Sequence, residues 1–531
     1  MERIYKILPN YIFLIIFAFV FEVVFNKFSV DIIYNLLENI LFALLLIGPL
    51  SIIGSIKAHN FYLITSYVFF SLFLYLETIY YYLFKTYFSP SAIFVSLDSN
   101  WEEAKEFISF YFDSSALLFT VLFFILVLNF LPSTRKFDLR KLVVSRNGKL
   151  KIIGLIIGIF IFLKLSTLII FNLPYLVVRS SYKYQVESKK LGNYKESKNG
   201  SFTNVKRLTN KEDEVYVIII GESTSRSHFG IYNYYRETSP ELKKLNDELL
   251  IYKDVISPHV YSIGALTKIL TLSNYENPEK TADGSIIQLL NSAGFETYWL
   301  SNQRPIGPYE SLITKISLSA KKQKYLTTTI AGKSKVLDEE LIFEFDKVVQ
   351  NDIRKKVIFL HLMGTHHHYE NRYPESFNKF RDTPSTNFKS EESFSKINHY
   401  DNAILYNDFL ISSVIKKVDS LNKLSFVLYF ADHGEEMYDD IDMAGHNEDI
   451  YSKNMFDIPF VLWRSREYEN KKEIIFMKDR KYMIDDLFYS IADLLDIKAG
   501  EVDFSRSIFS ERFKERQRII KDTIDYDGFF K

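Results

Sequence analysis

The chain contains no cysteine, although it has 531 residues and ten histidines. A thiolate metal site and a disulfide framework are therefore both excluded. Neither sign of charge is in excess, because 65 Lys and Arg residues balance 65 Asp and Glu residues. Since no basic face dominates, nucleic acid is not expected as a partner. No internal repeat of about 20–50 residues is visible either.

The two ends of the chain differ in composition. Long apolar runs rich in Phe, Leu, Ile and Tyr extend to about residue 172, and the remainder has the mixed charge of a soluble domain. Because a membrane-spanning helix needs about 20 largely apolar residues, we predict five spans, at 10–27, 35–56, 61–84, 115–132 and 152–172. The predicted organisation is a transmembrane domain at 1–172, an interfacial linker at 173–214 and a soluble domain at 215–531.

The loop between the fourth and fifth predicted spans fixes the expected orientation. It carries the basic residues Arg135, Lys136, Arg140, Lys141, Arg146, Lys149 and Lys151. Cytoplasmic loops are enriched in Lys and Arg, so this loop is predicted to be cytoplasmic and the soluble domain extracytoplasmic. The alternative, a cleaved signal peptide at the first span, lacks a small-residue cleavage pattern and is followed by four more apolar runs.

Among the charged residues inside the predicted spans, three stand out, namely Glu22, Glu77 and Lys164. Charges in the hydrocarbon layer are costly and are a functional hypothesis by default. One interpretation is that Glu22 and Lys164 reach the interface or pair with each other structurally. The other is that the carboxylates contribute to a lipid headgroup site near the outer leaflet.

The soluble half alternates short apolar runs with helical stretches. The runs lie at 215–220, 297–300, 357–363, 425–431 and 459–463, which is typical of a buried, mostly parallel α/β sheet. Ligands gather at the carboxyl ends of such strands. Glu222 follows the first run, and Asp432 and His433 follow another. Because zinc accepts nitrogen and oxygen ligands, we predict that these three residues bind Zn²⁺. The alternative for Asp432 is a plain turn-capping role.

Several sequence blocks, taken in order, resemble those of the bacterial phosphoethanolamine transferases of the alkaline phosphatase superfamily, which modify lipopolysaccharide. They are AIF at 92–94, SNWEEA at 99–104, GESTSRSH at 221–228, YNYYRETSP at 232–240, YWLSNQ at 298–303, GTH at 364–366, NRYP at 371–374 and YDNAILY at 400–406. The resemblance implies a five-span helical domain followed by an alkaline-phosphatase-like (sulfatase) domain. It also implies a multi-pass protein of the bacterial inner membrane whose catalytic domain is periplasmic.

The resemblance also implies a set of site residues. The metal would be held by Glu222, Asp432, His433 and a nucleophilic hydroxyl, and SPHVYS at 257–262 places Ser262 where the family has threonine. Thr267 is the alternative nucleophile, and both hydroxyls could instead cap a helix. Zinc would activate the hydroxyl by lowering its pKa. The residues implied to contact substrate are His366, His446, Asn302, Ser99 and Glu103. The first three match family positions that contact the phosphate or a second zinc. His367 and His368 are expected at the surface.

The activity implied is transfer of phosphoethanolamine from phosphatidylethanolamine to lipopolysaccharide, on lipid A or core, or to another glycan. The alternatives are a phosphoglycerol transferase or a sulfatase-type hydrolase on the same fold, since the superfamily shares its metal ligands. A receptor or scaffold with a degenerate catalytic domain would have lost ligands, and none of the expected ligands is missing here.

Overall fold

The computed structural model describes residues 2–26, 28–99, 101–132, 146–190, 194–207, 213–303, 312–326 and 336–531. They form two compact units, one of Met1–Leu97 with Phe107–Tyr184 and one of Asp98–Glu106 with Gln185–Lys531. The basic residues at 135–141, on which the predicted orientation partly depends, lie outside the described residues.

The first part of the chain is helical. Its helices are α1 Glu2–Phe25, α2 Val30–Ile47, α3 Ile56–Phe84, α4 Pro90–Asp98, α5 Trp101–Tyr111, α6 Ser114–Asn129, α7 Arg146–Leu165 and α8 Leu173–Lys190. Within the described residues, three segments are long and apolar enough to cross a membrane: Ile7–Phe25, Val30–Ser51 and Ile56–Phe84. A fourth arises if α5 and α6, bent by 104°, form one span. A helical membrane region is thus present, and the predicted count of five spans is not confirmed.

Glu22 and Lys164 do not form the pair considered above. Glu22 is only 2% exposed and accepts a hydrogen bond of 2.8 Å from the hydroxyl of Tyr87. Lys164, near the end of α7, is exposed. The structural pairing is therefore wrong, because a buried tyrosine is the partner of this carboxylate.

Glu77 and a third acid, Glu38, share one polar cluster among the helices. Glu77 accepts from the amide of Asn39 at 3.2 Å and from the backbone N–H of Leu173 at 3.1 Å. Glu38, fully buried on α2, accepts from Asn172 at 2.8 Å. Sequence reasoning missed Glu38, whose importance depends on neighbours more than 100 residues away.

The second part is an α/β domain. Its strands are β1 Lys206–Arg207, β2 Glu214–Gly221, β3 Leu249–Tyr252, β4 Val255–Ile256, β5 Glu296–Ser301, β6 Lys322–Tyr325, β7 Lys355–His361, β8 Leu424–Ala431, β9 Glu436–Met437, β10 Ala444–Gly445, β11 Phe460–Arg464, β12 Tyr482–Met483, β13 Ile497–Lys498, β14 Ile519–Ile520 and β15 Ile524–Asp525. Its helices are α9 Pro240–Lys244, α10 Ser262–Leu270, α11 Ile286–Ser292, α12 Leu312–Ser317, α13 Glu339–Val349, α14 Glu391–Asp419, α15 Arg466–Glu469, α16 Leu487–Leu494 and α17 Tyr526–Phe529.

Seven strands form the central sheet, in the order β3-β11-β8-β2-β7-β5-β6. The strands from β8 to β6 in this order are parallel, and β11 is antiparallel to both of its neighbours. The expectation that the run at 459–463 joins a parallel sheet is corrected, because the chain between β8 and β11 contains no crossover α-helix of the kind a parallel connection needs. The sheet is mixed, and its centre is parallel.

Candidate metal centre and active site

The register of the sheet brings the predicted site residues to one edge. Gly221 at the end of β2 pairs with Ala431 at the end of β8, and His361 at the end of β7 pairs with Ser301 at the end of β5. Residues that follow these strands therefore emerge side by side. Three segments far apart in the sequence, beginning at 222, 302 and 432, thus meet where ligands bind in α/β sheets.

A buried group of potential metal ligands, the metal group, consists of Glu222, Asp432 and His433. Each is at most 2% exposed, and their ligand atoms all lie within 4.8 Å of one another. His433 Nε2 lies 3.4 Å from Glu222 Oε1 and 3.6 Å from Asp432 Oδ2. Ligands around a tetrahedral zinc ion at the usual bond lengths are separated by about 3.4 Å. The two separations measured from His433 therefore match those between zinc ligands without rearrangement.

The hydrogen bonds of these side chains leave the right atoms available for a metal. His433 Nδ1 lies 2.8 Å from the carbonyl oxygen of Gly434, so it donates there and leaves the Nε2 lone pair for a ligand. Asp432 Oδ1 accepts from the backbone N–H groups of Ser223 and His433. Its Oδ2 is buried and has no hydrogen-bond partner among the described residues. A buried carboxylate oxygen of this kind needs a partner, and a zinc ion fits that requirement.

Ser262 completes the group. It is the first residue of α10, and its hydroxyl lies 3.1 Å from both carboxylate oxygens of Glu222 and 3.5 Å from His433 Nε2. The cap position belongs to Tyr261, so helix capping does not account for Ser262. Thr267 lies more than one turn further along α10, and its buried hydroxyl has no hydrogen-bond partner among the described residues. The structure thus places Ser262, rather than Thr267, beside the ligands.

Gln303 also contacts the metal group, although sequence reasoning missed it. Its side-chain N–H donates to Glu222 Oε2 and to the carbonyl of Leu362, both at 2.9 Å. Its neighbour Asn302, predicted to bind substrate, is fully buried and donates to Asp338 Oδ1 at 2.9 Å. Asn302 has a structural contact here, and its role toward substrate stays a prediction.

The three consecutive histidines after β7 have different surroundings. Burial lowers the pKa of His366 to about 4, so this imidazole is neutral near pH 7. His367 is only 7% exposed, and the expectation that it is a surface residue is wrong. The reason is Arg372, whose guanidinium donates to the carbonyls of His366 and His367 and holds the loop folded inward. His368 is half-buried and donates to the carbonyl of Glu106.

His446 is held by a residue that the sequence did not single out. Its Nδ1 lies 2.6 Å from Glu435 Oε2, and Glu435 Oε1 accepts from the hydroxyl of Tyr369 at 2.6 Å. The His446 ring centroid is 4.3 Å from that of His433. His446 therefore lies next to the metal group, which is where a phosphate contact would be needed.

His228, at the end of the first motif, has a structural position instead. Its Nδ1 lies 2.7 Å from Asp401 and its Nε2 lies 3.1 Å from Asp439. Burial lowers its pKa, but the carboxylates of Asp439 and Asp401 outweigh this and raise the pKa to about 10. Arg236 donates to the second oxygen of Asp401 at 2.8 Å. This charged group anchors the motif to α14.

The two outer-loop residues are only partly described. Ser99, which follows α4 in the sequence, is half-buried. The side chain of Glu103, on α5, lies outside the described residues. Glu106, which belongs to the same compact unit as the catalytic domain, pairs with Arg372 at 2.5 Å. The substrate contacts of Ser99 and Glu103 stay predictions.

The sheet, the ligand group and the adjacent hydroxyl define a member of the alkaline phosphatase superfamily. In agreement, residues 214–497 match the sulfatase family. The chain is 30% identical to phosphoethanolamine transferase EptC of Escherichia coli K12 over 487 residues, which cover 84% of this chain and 83% of that protein. This chain belongs to the phosphoethanolamine transferase family, as the sequence blocks predicted.

Two solved structures support this placement. The C-terminal periplasmic domain of Escherichia coli EptC in complex with Zn is 33% identical, with a TM-score of 0.59, and covers 61% of this chain and 96% of that one. The integral membrane lipooligosaccharide phosphoethanolamine transferase A of Neisseria meningitidis is 22% identical, with a TM-score of 0.64, and covers 84% and 87%. At that identity the second comparison shows a shared fold, namely a helical membrane region followed by a sulfatase-like α/β domain.

Proposed function

We propose that this chain transfers phosphoethanolamine from phosphatidylethanolamine to lipopolysaccharide, on lipid A or core, through a covalent intermediate on Ser262. The observation that supports it most directly is the position of the Ser262 hydroxyl, 3.1 Å from both oxygens of Glu222 and beside His433. Membership of the family indicates that phosphoethanolamine is the group transferred. The acceptor class is supported by the lipooligosaccharide named for the Neisseria meningitidis relative.

The reaction requires two displacements at phosphorus. In the first, Ser262 Oγ forms a bond to phosphorus, the bond to the glycerol oxygen breaks, and diacylglycerol leaves with a proton. In the second, an acceptor oxygen attacks phosphorus and Ser262 leaves, regaining its proton. Glu222 accepts the hydrogen bond of the Ser262 hydroxyl, so it is placed to receive and return that proton. Zn²⁺ bound by Glu222, Asp432 and His433 would lower the pKa of the hydroxyl and offset the charge at phosphorus.

The neighbouring residues have distinct proposed roles. His366 and His446 contact the phosphoryl oxygens, and Asn302 contributes a polar contact at the same edge of the sheet. Ser99 and Glu103 bind the ethanolamine headgroup, whose ammonium suits a carboxylate. These assignments follow from the family resemblance and, for His446, from its place beside His433.

The same proposal includes the location and organisation of the chain. It is a multi-pass protein of the bacterial inner membrane with five spans, a transmembrane domain at 1–172, a linker at 173–214 and a periplasmic catalytic domain at 215–531. The Escherichia coli relative, whose crystallised C-terminal domain is described as periplasmic, supports this location.

The test is to trap the intermediate. Purified full-length protein is incubated with phosphatidylethanolamine, and peptide mass mapping locates the added phosphoethanolamine. We expect the adduct on Ser262, its absence in Ser262→Ala, and its retention in the control Thr267→Ala, which changes a hydroxyl on the same helix. An adduct on Thr267, or an active Ser262→Ala enzyme, would overturn the assignment. Mass spectrometry of lipopolysaccharide from cells with and without the chain then identifies the acceptor.

A further inference from the structure

Ser262 is preceded by a short irregular segment, residues 257–261, which we call the nucleophile loop. It joins β4 to α10, and Ser262 is the first residue of α10. The path of this loop therefore decides where the Ser262 hydroxyl lies relative to the metal group. The proposed reaction uses that hydroxyl but does not explain what holds it in place.

The start of the nucleophile loop is attached to the metal group. The hydroxyl of Ser257, which is fully buried, lies 2.5 Å from the carbonyl oxygen of Asp432 and 2.7 Å from that of His259. The backbone N–H of Ser257 donates to the carbonyl of Phe456 at 2.8 Å. These contacts fix the first residue of the loop, so the residues between it and Ser262 need a separate support.

Glu448 supplies that support with both of its carboxylate oxygens. Its Oε1 lies 2.7 Å from Nδ1 of His259, and its Oε2 accepts from the backbone N–H of Val260 at 3.0 Å. The side chains of His259 and Glu448 are only 8% and 12% exposed, so water has little access to this contact. Because one planar group holds two consecutive residues, the contact fixes the orientation of the loop as well as its distance.

Glu448 belongs to the segment that carries His446. This segment, residues 446–450, follows β10, and we call it the His446 loop. Lys521 joins the two loops a second time, because its backbone N–H donates to the carbonyl of Pro258 at 2.9 Å and its ammonium group donates to the carbonyl of Glu448. The nucleophile and the histidine beside the metal group are therefore held relative to each other by contacts that neither residue makes itself.

A buried contact of this kind can also serve stability alone, and the two roles have different consequences. Stability depends on the strength of the contact, whichever segments it joins. Attack on phosphorus depends in addition on the alignment of the reacting atoms, and a misplacement of about 1 Å can lower the rate about 100-fold. The nucleophile loop ends at the attacking residue, so loosening it displaces the Ser262 hydroxyl directly.

We propose that Glu448 is a positioning residue, which acts through His259 and Val260 to hold the Ser262 hydroxyl in alignment with His446 and the metal group. The inference rests on the proposed function, since it takes Ser262 as the nucleophile and His446 as a contact to the phosphoryl oxygens. Because Glu448 acts through the loop, its removal leaves the zinc ligands and the donor-binding residues in place.

The test compares substitutions of Glu448 in the purified full-length protein with zinc bound. Glu448→Leu removes both contacts, whereas Glu448→Gln keeps the size of the side chain and offers one acceptor for Val260 and one donor for the neutral imidazole of His259. Glu501→Leu is the matched control. Glu501 likewise accepts from a backbone N–H and from a side chain, in this case the N–H and the hydroxyl of Thr203 at 3.1 and 3.0 Å.

The rate at which phosphoethanolamine from phosphatidylethanolamine is added to Ser262 should fall about 100-fold in Glu448→Leu. The apparent KM for this lipid and the amount of bound zinc should stay as in the parent. Glu448→Gln and Glu501→Leu should react like the parent. Hydrogen exchange followed by mass spectrometry should show faster exchange of the segment 257–262 in Glu448→Leu alone. A role in stability alone predicts instead a lower melting temperature of Glu448→Leu with an unchanged rate.

Three results overturn the inference: a folded Glu448→Leu that reacts like the parent, an unchanged exchange of its nucleophile loop, or a Glu448→Gln as slow as Glu448→Leu. If Glu448→Leu does not fold, His259→Leu, which removes only the Oε1 contact, is compared with the parent in the same assays. A parent that forms no adduct on Ser262 refutes the proposed function, whereas the hydrogen exchange of the loop still decides whether Glu448 holds it in place.

Discussion

Gly364 provides a sharp test of how the metal group is positioned. Its φ is +54°, and a Cβ added there would lie 2.8 Å from the backbone nitrogen of Glu222 and 2.9 Å from its carbonyl oxygen. Gly294 also has a positive φ, +89°, but a Cβ there would meet no heavy atom within 4 Å. Comparing alanine substitutions at Gly364 and Gly294 therefore separates the effect of backbone strain from the effect of close approach to Glu222.

The expected effects follow from these distances. Gly294→Ala has only the left-handed conformation to accommodate, which costs about 1–2 kcal/mol. Gly364→Ala has the same strain and must also displace the backbone of Glu222, so overpacking adds roughly 1–3 kcal/mol. Because metal–ligand distances tolerate only about 0.2 Å, a shifted Glu222 should weaken zinc binding. We therefore expect Gly364→Ala to lose at least about tenfold in zinc affinity, or 1.4 kcal/mol, and Gly294→Ala to bind zinc like the parent.

The measurements are chemical denaturation for the free energy of unfolding and competition with a chelator for zinc affinity. If the two alanine variants lose the same stability and both bind zinc like the parent, the close approach of Gly364 to Glu222 does not constrain the site. If Gly294→Ala alone loses zinc affinity, the reasoning about Gly364 fails as well.

Three further predictions concern single side chains. Because the carboxylates raise the folded-state pKa of His228 to about 10, above the unfolded value of about 6.5, its stabilisation is complete below about pH 6.5 and is lost as pH rises to about 10. The melting temperature of the parent should thus fall more steeply with rising pH in that window than the melting temperature of His228→Gln. Equal slopes would contradict this. Gln303→Leu removes the 2.9 Å donor to Glu222 and should lower zinc affinity about 10–100-fold in a folded protein, whereas an unchanged affinity would show that the contact is incidental. Glu22→Gln and Glu77→Gln should lower the melting temperature and leave the KM for phosphatidylethanolamine unchanged, because both carboxylates already have protein partners. If the KM rises for this lipid but not for a short soluble donor, the carboxylates bind the headgroup instead.

Much of the architecture could be predicted because it is encoded locally. An apolar run of about 20 residues predicts a membrane helix wherever it occurs, and the helical membrane region and the sulfatase-like domain are both confirmed. Glu222, Asp432 and His433 could be grouped from sequence because each directly follows a buried strand. Because parallel strands present their carboxyl ends at one edge of a sheet, these three residues could be grouped without knowing the structure. The family itself was recognisable from short ordered blocks.

Other features depend on contacts between distant segments. Gln303 donates a hydrogen bond to Glu222, 81 residues away in the sequence, and Asn172 donates one to Glu38, 134 residues away. No local sequence pattern predicts either contact. The antiparallel direction of β11 depends on how the chain returns, which apolar runs alone do not encode.

The sequence by itself determined the class of protein, its two-part composition and the candidate metal ligands Glu222, Asp432 and His433, because these depend on residue type and local order. Only the tertiary structure decided that Ser262 rather than Thr267 lies beside Glu222, and that His367 is buried with Glu435 and His446. These outcomes depend on the direction in which α10 begins and on the inward fold of a loop held by Arg372. Such directions are set by packing and hydrogen bonds among segments that the sequence separates.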